Sequence, residues 1–389
     1  MTPARAPARE GWKVGLLFST TSLTAAVEAT QAQATRLAIE EVNAAGGIDG
    51  VPLLPVAIEA GATPEAYREA ALQLCDLHQV PVIFGTHMSS TRKAVLPVVE
   101  SRRTLLFYPT LYEGFEYSPF CIYTGAAPNQ NSVPLARHML ERHGGRVLFV
   151  GGQYVYPYES NRIMRTLFEQ AGGSVLDEIY LPLQSSHEDF MAVMDRVRAL
   201  APDAIYSTVV GSDTLRFYEA YQSAGFDPAR MPIASLATNE ADAAAMRPGA
   251  AEGHLSAAPW FATLDTPASQ RFVASYGQRF GPDAPITAGA EAAYFQVHLF
   301  AEAARRAGGA QRPDALLEAL GGLGFEAPQG HVRIDAESHH TWLWPRIARI
   351  AASGRFEIIA SASEAVRPSP YMIDHTLQSG VQGDDSQGA

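Results

Sequence analysis

The sequence predicts an α/β protein with two similar units, each a mostly parallel β-sheet flanked by helices. Its 389 residues are enough for two or three domains, at roughly 150 residues each. Short apolar runs alternate with amphipathic helical patterns, which is the order expected of parallel strands joined by crossover helices. The alternation occurs in two successive series along the chain, and each series predicts one unit.

The first series opens with a predicted strand at 13–18 and a helix at 30–45. This helix repeats apolar residues at helical spacing, and Gly46 and Gly47 supply the stop expected after it. Further elements follow in the same alternating order. They are strands at 51–58, 80–84 and 104–108 and helices at 64–77 and 90–99.

The second series begins with a predicted helix at 134–143 and ends with one at 212–224. Between them the pattern predicts strands at 146–150, 174–180 and 204–210 and helices at 159–170 and 187–200. Ser185 and Glu188 have the spacing of a capping box, in which each side chain bonds the backbone of the other residue. The helix at 187–200 is therefore expected to begin beside them.

After residue 253 a strand at 254–258 precedes two helices and a set of short β-like runs. The helices are predicted at 267–280 and 287–307, and the β-like runs at 331–334, 342–350 and 356–359. We expect an N-terminal lobe of 11–125 and 256–330 and a C-terminal lobe of 126–255 and 331–376. Residues 377–389 have no bulky apolar side chains beyond Leu377 and Val381 and are expected to be disordered.

The composition argues against several classes of function. With 29 basic and 41 acidic residues the net charge is -12, so direct contact with nucleic acid is not expected. No run approaches the roughly 18 apolar residues that span a bilayer, so membrane contact is not expected either. Residues 1–11 contain no apolar core of a secretory signal, and on this ground the protein is predicted to be cytoplasmic.

Cys75 and Cys121 are the only cysteines in the sequence. They are too few for a disulfide scaffold, and we expect two buried thiols, although one bridge is possible. His339 and His340 are adjacent, and adjacent side chains diverge on a strand and on a helix, which is poor geometry for one metal ion. Both histidines are predicted to lie at the surface, and neither a metal nor another cofactor is predicted.

Enzyme signatures are weak. Ser90 and Lys93 have the S-x-x-K spacing of penicillin-recognising hydrolases, but the S-D-N and K-T-G motifs of those enzymes do not follow. The sequence has no G-x-S-x-G elbow, P-loop or dinucleotide-binding fingerprint. We therefore predict a helix start near Ser90 and no catalytic residues.

Candidate binding residues follow the predicted strands, because ligands of open α/β sheets bind beyond the carboxyl ends of the strands. These segments contain hydroxyls, glycines and aromatic rings with almost no charge, and they are 19–22, 85–90, 108–110, 151–156 and 209–212. Hydroxyls and helix amides can pair with a carbonyl and an amine, while tyrosine rings cover apolar atoms. This lining predicts a small neutral polar ligand.

Other roles stay open for several of these residues. Ser89 and Ser90 could serve only as helix caps. Tyr154 and Tyr156 would face the same side if their segment is extended, and ordinary core packing is the alternative. Glu240 could meet a ligand ammonium group, but a place in the first turn of a helix is favoured.

Five segments carry a resemblance to a known family. They are 88–93, 108–119 (YPTLYEGFEYSP), 127–131, 154–161 and 207–211. They closely resemble the AmiC-like amide-sensing regulators of aliphatic amidase operons. Those regulators belong to the type I periplasmic-binding-protein family, alongside the urea and branched-chain amino-acid receptors. The resemblance runs from about residue 12 to about residue 375.

The resemblance implies two α/β lobes joined by three crossing strands, with the ligand buried in the cleft between them. Carried over to matching positions, Ser89 and Thr110 would hydrogen-bond an amide. Tyr108 and Tyr154 would line or close the pocket, and Tyr156 would lie nearby. Val210, from the segment after the strand at 204–210, is a further candidate. Two positions depart from the family pattern, where His87 replaces a tyrosine and Leu111 replaces a proline.

These departures leave the ligand open among acetamide, propionamide, butyramide and urea. If the imidazole of His87 points into the cleft, amide affinity should vary between roughly pH 5.5 and 8. If it turns outward, the affinity should not depend on this residue.

The leading functional hypothesis is a cytoplasmic amide sensor that binds and releases an RNA-binding antiterminator protein. The resemblance implies this partner, and a homo-oligomer is expected. The alternative is the substrate-binding receptor of an ABC transporter for urea or short amides. A third hypothesis, an amide hydrolase, is opposed by the absence of a recognisable nucleophile and base.

Overall fold

The computed structural model describes residues 11–371 as two compact α/β units, which confirms the predicted fold class. Unit 1 contains residues 11–111, 117–125 and 265–341, and unit 2 contains residues 112–116, 126–264 and 342–371. The predicted lobe boundaries after 255 and 330 lie earlier than the observed ones after 264 and 341, because strands of each unit continue past them. The predicted disordered tail, 377–389, lies outside the described residues.

The helices alternate with strands and are numbered in chain order. They are α1 (Ala25–Ala44), α2 (Pro64–Leu72), α3 (Ser89–Arg102), α4 (Pro128–Arg142), α5 (Val155–Gln170), α6 (His187–Leu200), α7 (Ser212–Ser223), α8 (Glu240–Ala245), α9 (Pro267–Phe280), α10 (Ala288–Arg306) and α11 (Pro313–Leu320). A π-helical turn, Gln73–Leu77, continues α2. None of the helices within residues 11–371 combines the length and the apolar character needed to cross a membrane.

The strands are mostly short. They are β1 (Trp12–Leu17), β2 (Leu53–Ala57), β3 (Val82–Gly85), β4 (Leu105–Tyr108), β5 (Cys121–Tyr123), β6 (Arg146–Gly152), β7 (Ser174–Leu181), β8 (Ala204–Thr208), β9 (Ile233–Ser235), β10 (Leu255–Ala258), β11 (Gly324–Ala327), β12 (Gly330–Ile334), β13 (Thr341–Trp342), β14 (Arg346–Ile350) and β15 (Phe356–Ser361).

Unit 1 is built on a five-stranded parallel sheet with the order β2-β1-β3-β4-β5. Strands β3 and β4 are buried along their whole length, as expected for central strands covered on both faces. Helix α10 packs against α1 and places the ring of Phe300 edge-on to Phe84 and Phe107, at centroid distances of 5.6 and 6.2 Å. This apolar layer covers the central strands β3 and β4 of unit 1.

Unit 2 is built on a seven-stranded mixed sheet with the order β15-β14-β10-β9-β8-β6-β7. Strands β6 to β10 pair in parallel, whereas β14 pairs antiparallel with both β10 and β15. Its core is aromatic and aliphatic, and Phe190 on α6 contacts Phe217 on α7 with ring centroids 5.7 Å apart. The β-like pattern predicted for 331–361 therefore divides between two sheets, because β12 belongs to a small sheet with β11 and β13.

Several local predictions need correction. The capping box of α6 is formed by Ser186 and Asp189 instead of Ser185 and Glu188. Ser186 Oγ accepts from the Asp189 N–H, whereas the Ser185 hydroxyl donates to the carbonyl of Pro182 in the preceding turn. Helix α5 begins four residues earlier than the predicted helix at 159–170, so its first turn includes Tyr156.

His340 is buried, so the predicted surface position is wrong for this residue. An isolated bridge pairs it with Tyr123, and the two rings stack with centroids 4.2 Å apart. Burial, together with the nearby charge of Arg92, lowers the pKa of His340. The prediction for the cysteines is confirmed, since Cys75 and Cys121 are both buried and not joined in a disulfide.

The first prediction concerns Gly85, which ends β3 with a φ of 149°. A Cβ at this position would lie 2.2 Å from the carbonyl oxygen of Leu17 on β1. Gly85→Ala should therefore lower the free energy of unfolding by about 2 to 5 kcal/mol, through backbone strain and overpacking. Chemical denaturation measures this loss.

Gly46→Ala is the matched control, because Gly46 also has positive φ, at 99°, but a Cβ there would meet nothing within 4 Å. Its loss should be about 1 to 2 kcal/mol, from the left-handed backbone alone. Equal losses in the two variants would show that the approach to Leu17 does not constrain the end of β3.

Candidate functional site

The carboxyl ends of β1, β3 and β4 lie side by side, because these strands are neighbours in the parallel sheet of unit 1. The segments that follow them carry Ser19, His87 and Thr110, all within candidate segments of the sequence prediction. Parallel strands end at the same edge of a sheet, so the loops after them form one polar surface.

Three side chains form a hydrogen-bonded group at this edge, which we call the polar cluster: Gln31, His87 and Thr110. Gln31 Nε2 donates to Thr110 Oγ1 over 3.1 Å, and Gln31 Oε1 lies 3.2 Å from His87 Nδ1. Thr110 Oγ1 also lies 3.2 Å from His87 Nδ1. The structure therefore brings together the predicted residues His87 and Thr110 and adds Gln31 from α1.

The loop that carries His87 is held by its backbone. Thr86 has a φ of 60° and its N–H donates to the carbonyl of Leu17 over 2.9 Å. The hydroxyl of Tyr108 donates to the carbonyl of His87 over 2.7 Å. A threonine in the left-handed region is uncommon and persists only where surrounding contacts enforce it. The position of the imidazole is thus fixed from both sides of the loop.

Tyr108 contacts the loop that carries His87, and its part in lining a ligand pocket stays a prediction. Its side chain is fully buried, with the guanidinium of Arg92 over the ring at 4.6 Å. Since its hydroxyl bonds the His87 backbone, Tyr108 supports the loop from within the core. Leu111 follows Thr110 and is partly buried.

Ser89 is the first residue of α3 and is buried. The N-cap of α3 is Met88, so neither Ser89 nor Ser90 occupies the capping position that was the alternative for both. The side chain of Met88 makes no capping bond. Ser89 therefore remains a candidate ligand contact beside the polar cluster.

Burial lowers the pKa of His87, and the negative charge of Glu28 opposes this shift. The imidazole is consequently neutral at pH 7. A lowered pKa moves the titration to the acid side of the ordinary histidine value. Any change of ligand affinity that depends on His87 is therefore expected below about pH 6.5, instead of over the wider range predicted from the sequence.

Glu28 is a buried carboxylate one helical turn before Gln31 on α1. It accepts from the backbone N–H of Ser19 over 2.9 Å and from the hydroxyls of Ser22 and Thr24 over 2.6 and 2.8 Å. The hydroxyl of Tyr67 on α2 also donates to it. The loop after β1, α1 and α2 are therefore tied to one carboxylate.

Gln31 and Glu28 are absent from the sequence prediction, which considered only segments after strands. The sequence did contain a signal, because Gln31 has helical spacing with the apolar residues Ala34 and Ala38. A polar residue on the buried face of a helix needs a hydrogen-bond partner. Such residues are candidates for a site even when they lie outside the loops.

In unit 2, Tyr154 is the N-cap of α5, and Tyr156 is buried within its first turn. The extended segment assumed for these residues is therefore not observed. The two rings are still neighbours, with centroids 6.2 Å apart. Val210 follows β8, the neighbour of β6, and is buried. Their part in ligand binding stays a prediction.

Glu240 begins α8, as favoured from the sequence, and Asn239 caps this helix. Glu240 Oε1 accepts from the N–H of Ala262 over 3.1 Å. Burial raises the pKa of Glu240 to about 7, and burial likewise raises the pKa of Asp242 to about 7. The carboxyl of Glu240 is thus held by the backbone of unit 2.

Two α/β units with polar side chains at the carboxyl ends of their parallel strands define a ligand-binding protein. The family described as periplasmic binding protein domain matches residues 12–376, and the chain belongs to this family. Its relatives include the Leu/Ile/Val-binding protein homolog 6 of Brucella melitensis and that of Brucella suis. Each is 24% identical to this chain over 284 residues, which cover 72% of either protein.

Solved structures show the same fold. One is a solute binding protein of an ABC transporter from Rhodopseudomonas palustris BisB5, solved in complex with 3,4-dihydroxy benzoic acid. Its TM-score is 0.83 at 22% sequence identity, and the match covers 92% of this chain and 99% of that one. Another is the branched-chain amino acid transporter substrate binding protein LivJ from Streptococcus pneumoniae, solved in complex with isoleucine. Its TM-score is 0.80 at 18% sequence identity, and the match covers 92% of this chain and 100% of that one. All these relatives are named as binding proteins, in agreement with a role other than catalysis.

The predicted cytoplasmic localisation is wrong, because the matching family model is described as a periplasmic binding protein domain and solved relatives are named as solute binding proteins of ABC transporters, which together indicate the periplasm. That prediction used residues 1–11 alone, whereas the family match rests on nearly the whole chain. An RNA-binding antiterminator works where RNA is made, so the comparisons do not support this partner or a role in transcription.

The second prediction concerns the pH dependence of stability. The pKa of Glu240 is raised from 4.5 to about 7 on folding, so stability falls as the pH rises from about 4.5 to 7 and the penalty is complete above 7. Glu240→Gln removes this penalty. Its advantage in unfolding free energy over the wild type should grow by roughly 1 to 3 kcal/mol between pH 5 and pH 8.

Denaturation at the two pH values measures the difference. Glu252→Gln is the control for loss of a carboxyl group, since Glu252 is exposed in the same unit. An advantage for Glu240→Gln that is the same at both pH values would mean that its carboxyl is not protonated preferentially in the folded protein.

Proposed function

We propose that the protein is the substrate-binding receptor of an ABC transporter and that its ligand is a small uncharged amide or urea-like solute. The receptor role is supported by the family and by relatives named as solute or substrate binding proteins. The ligand class is supported by one observation above others. The polar cluster of Gln31, His87 and Thr110 carries hydrogen-bonding groups and no formal charge at pH 7.

The receptor is favoured over the amide-sensing regulator because of the compartment. A regulator that holds an RNA-binding protein must share the cytoplasm with it, whereas the solved relatives are named as binding proteins of transporters, which act outside the cytoplasm. The residues that resemble the amide-sensing regulators concern the ligand site, namely Ser89 and Thr110. We therefore keep the amide as the proposed ligand and assign the protein to uptake.

Two of the relatives are solved in complex with charged molecules, one with isoleucine and one with 3,4-dihydroxy benzoic acid. A carboxylate that leaves water needs charged or well-aligned donors in return. The start of α3 at Ser89 could supply backbone N–H groups to such an anion. The neutral cluster next to it offers no counter-charge, and for this reason we favour the neutral solute.

The third prediction is a pattern of ligand binding. Acetamide, propionamide and urea should raise the melting temperature, because a ligand that binds only the folded state stabilises it, by about 2.7 kcal/mol at a hundredfold excess over Kd. Leucine, isoleucine and 4-hydroxybenzoate should bind far more weakly, as measured by calorimetry. Tighter binding of any of these charged molecules would replace the proposed ligand class.

The receptor role has its own test. Cells that lose the protein should take up less of the bound solute. A regulator would instead change the synthesis of an amidase and leave the uptake rate unchanged, which would contradict the proposed role.

The fourth prediction concerns two hydroxyls. Thr110→Val and Ser89→Ala should each weaken binding of the neutral ligand by about 1 to 3 kcal/mol, because a polar atom of the buried ligand loses its partner. This corresponds to roughly five- to 150-fold in Kd. Titration calorimetry measures the change.

Thr30→Val is the matched control. Thr30 has a buried hydroxyl in unit 1 that bonds the carbonyl of Val27 and the hydroxyl of Thr287, and it makes no hydrogen bond to a side chain of the polar cluster. It should bind the ligand with wild-type affinity. Wild-type affinity in the Thr110 and Ser89 variants as well would remove both residues from the site.

A further inference from the structure

We infer that Gln31 selects the Nδ1–H tautomer of His87 and so gives the site one hydrogen-bond donor and one acceptor for its ligand. The inference rests on the proposed function for the nature of that ligand. Gln31 lies on α1, and a search restricted to the segments after strands does not include it. The inference is based on the hydrogen bonds among the three side chains of the polar cluster.

The argument starts from Gln31, whose side chain is fully buried. Its Nε2 donates to Thr110 Oγ1 over 3.1 Å, which turns its Oε1 toward His87 Nδ1 at 3.2 Å. An amide oxygen only accepts hydrogen bonds. The nitrogen that faces it must therefore carry a proton, because two acceptors at this distance would repel each other.

A neutral imidazole has one N–H. If that proton is on Nδ1, the Nε2 atom of His87 is left as an acceptor. Burial lowers the pKa of His87, which supports the neutral ring. Glu28 on α1 is the charged group whose field reaches His87, and its donors from the loop after β1 hold it in place.

The hydroxyl of Thr110 is arranged in the complementary way. Its oxygen accepts from Gln31 and faces the Nδ1–H of His87 at 3.2 Å. Because both neighbours supply protons, the hydroxyl proton of Thr110 is directed elsewhere. The site thus presents an O–H donor from Thr110 and an acceptor nitrogen from His87.

One donor and one acceptor match a primary amide, whose carbonyl accepts and whose N–H donates. Urea has the same pair of groups. A methyl ester of the same size has a carbonyl but no N–H, and it would leave His87 Nε2 without a partner. Gln31 is accordingly a positioning residue that determines specificity through His87 and Thr110.

The position of Gln31 depends on a small residue in the neighbouring helix. Gly289 lies in the first turn of α10, and a Cβ built on it would be 2.7 Å from Gln31 Nε2. Gly289→Ala would therefore displace the amide of Gln31 without touching His87 or Thr110. Alanine is also the better helix former, so the fold of α10 should tolerate the change.

The tautomer can be measured in the ligand-free protein by long-range ¹H–¹⁵N NMR of the imidazole nitrogens. His87→Gln assigns the signals of His87 among the eleven histidines of the chain. We expect Nδ1 to carry the proton in the wild type. In Gln31→Leu the ratio of the two tautomers should shift toward Nε2–H by about fivefold or more, the effect of one lost hydrogen bond.

Gln33→Leu is the control, because Gln33 is also on α1 but accepts from the hydroxyl of Tyr276. It should leave the tautomer of His87 unchanged. An Nε2–H tautomer in the wild type overturns the inference, and so does an unchanged ratio in Gln31→Leu.

Ligand specificity gives a second readout. Gly289→Ala should still unfold in one cooperative transition, yet bind acetamide about fivefold or more weakly and discriminate less between acetamide and methyl acetate. Unchanged discrimination in this variant and in Gln31→Leu overturns the role of Gln31. A wild type that binds no amide overturns the proposed function alone, because the tautomer is measured without ligand.

Discussion

The buried carboxylate of Glu28 sets the arrangement of the polar end of unit 1. A charge removed from water is costly unless donors replace its hydration, and Glu28 has the backbone N–H of Ser19 and the hydroxyls of Ser22 and Thr24. These bonds fix the loop after β1 against α1. Gln31 lies one turn further along the same helix, so the rotation of α1 that buries Glu28 also points Gln31 toward His87 and Thr110.

The sheet of unit 1 determines where the other two residues of the polar cluster lie. Because β3 lies between β1 and β4, the loops that carry His87 and Thr110 are adjacent, and Gly85 lets β3 end against the carbonyl of Leu17. At Gly125 a Cβ would lie 2.0 Å from the carbonyl oxygen of Thr110, so close backbone packing positions that residue too. Backbone contacts therefore hold the loops of His87 and Thr110, and helix α1 brings the side chain of Gln31 to them.

The sequence predicts the long elements well, because twelve or more residues of apolar periodicity leave little ambiguity. Helix α9 occupies the predicted range 267–280. The strands β5 and β9 have three residues each, and so short a run carries no detectable period. The start of α5 is missed because Tyr154 and Pro157 read as a loop, although proline is compatible with the first turn of a helix.

The candidate site is predictable from the sequence only in part. Residues after strands, such as His87 and Thr110, can be found from the order of elements, since the carboxyl ends of parallel strands carry the ligand site. Gln31 and His340 could not be found in this way, because their partners are far away in sequence and only the fold brings them together.

The negative charge of Glu28 also supports the proposal of an uncharged ligand. Its field raises the pKa of His87 against the larger effect of burial, so it reaches the polar cluster. A carboxylate placed at this cluster would meet a like charge, whereas an uncharged amide would not, and the same residue that orients Gln31 thereby disfavours anionic ligands.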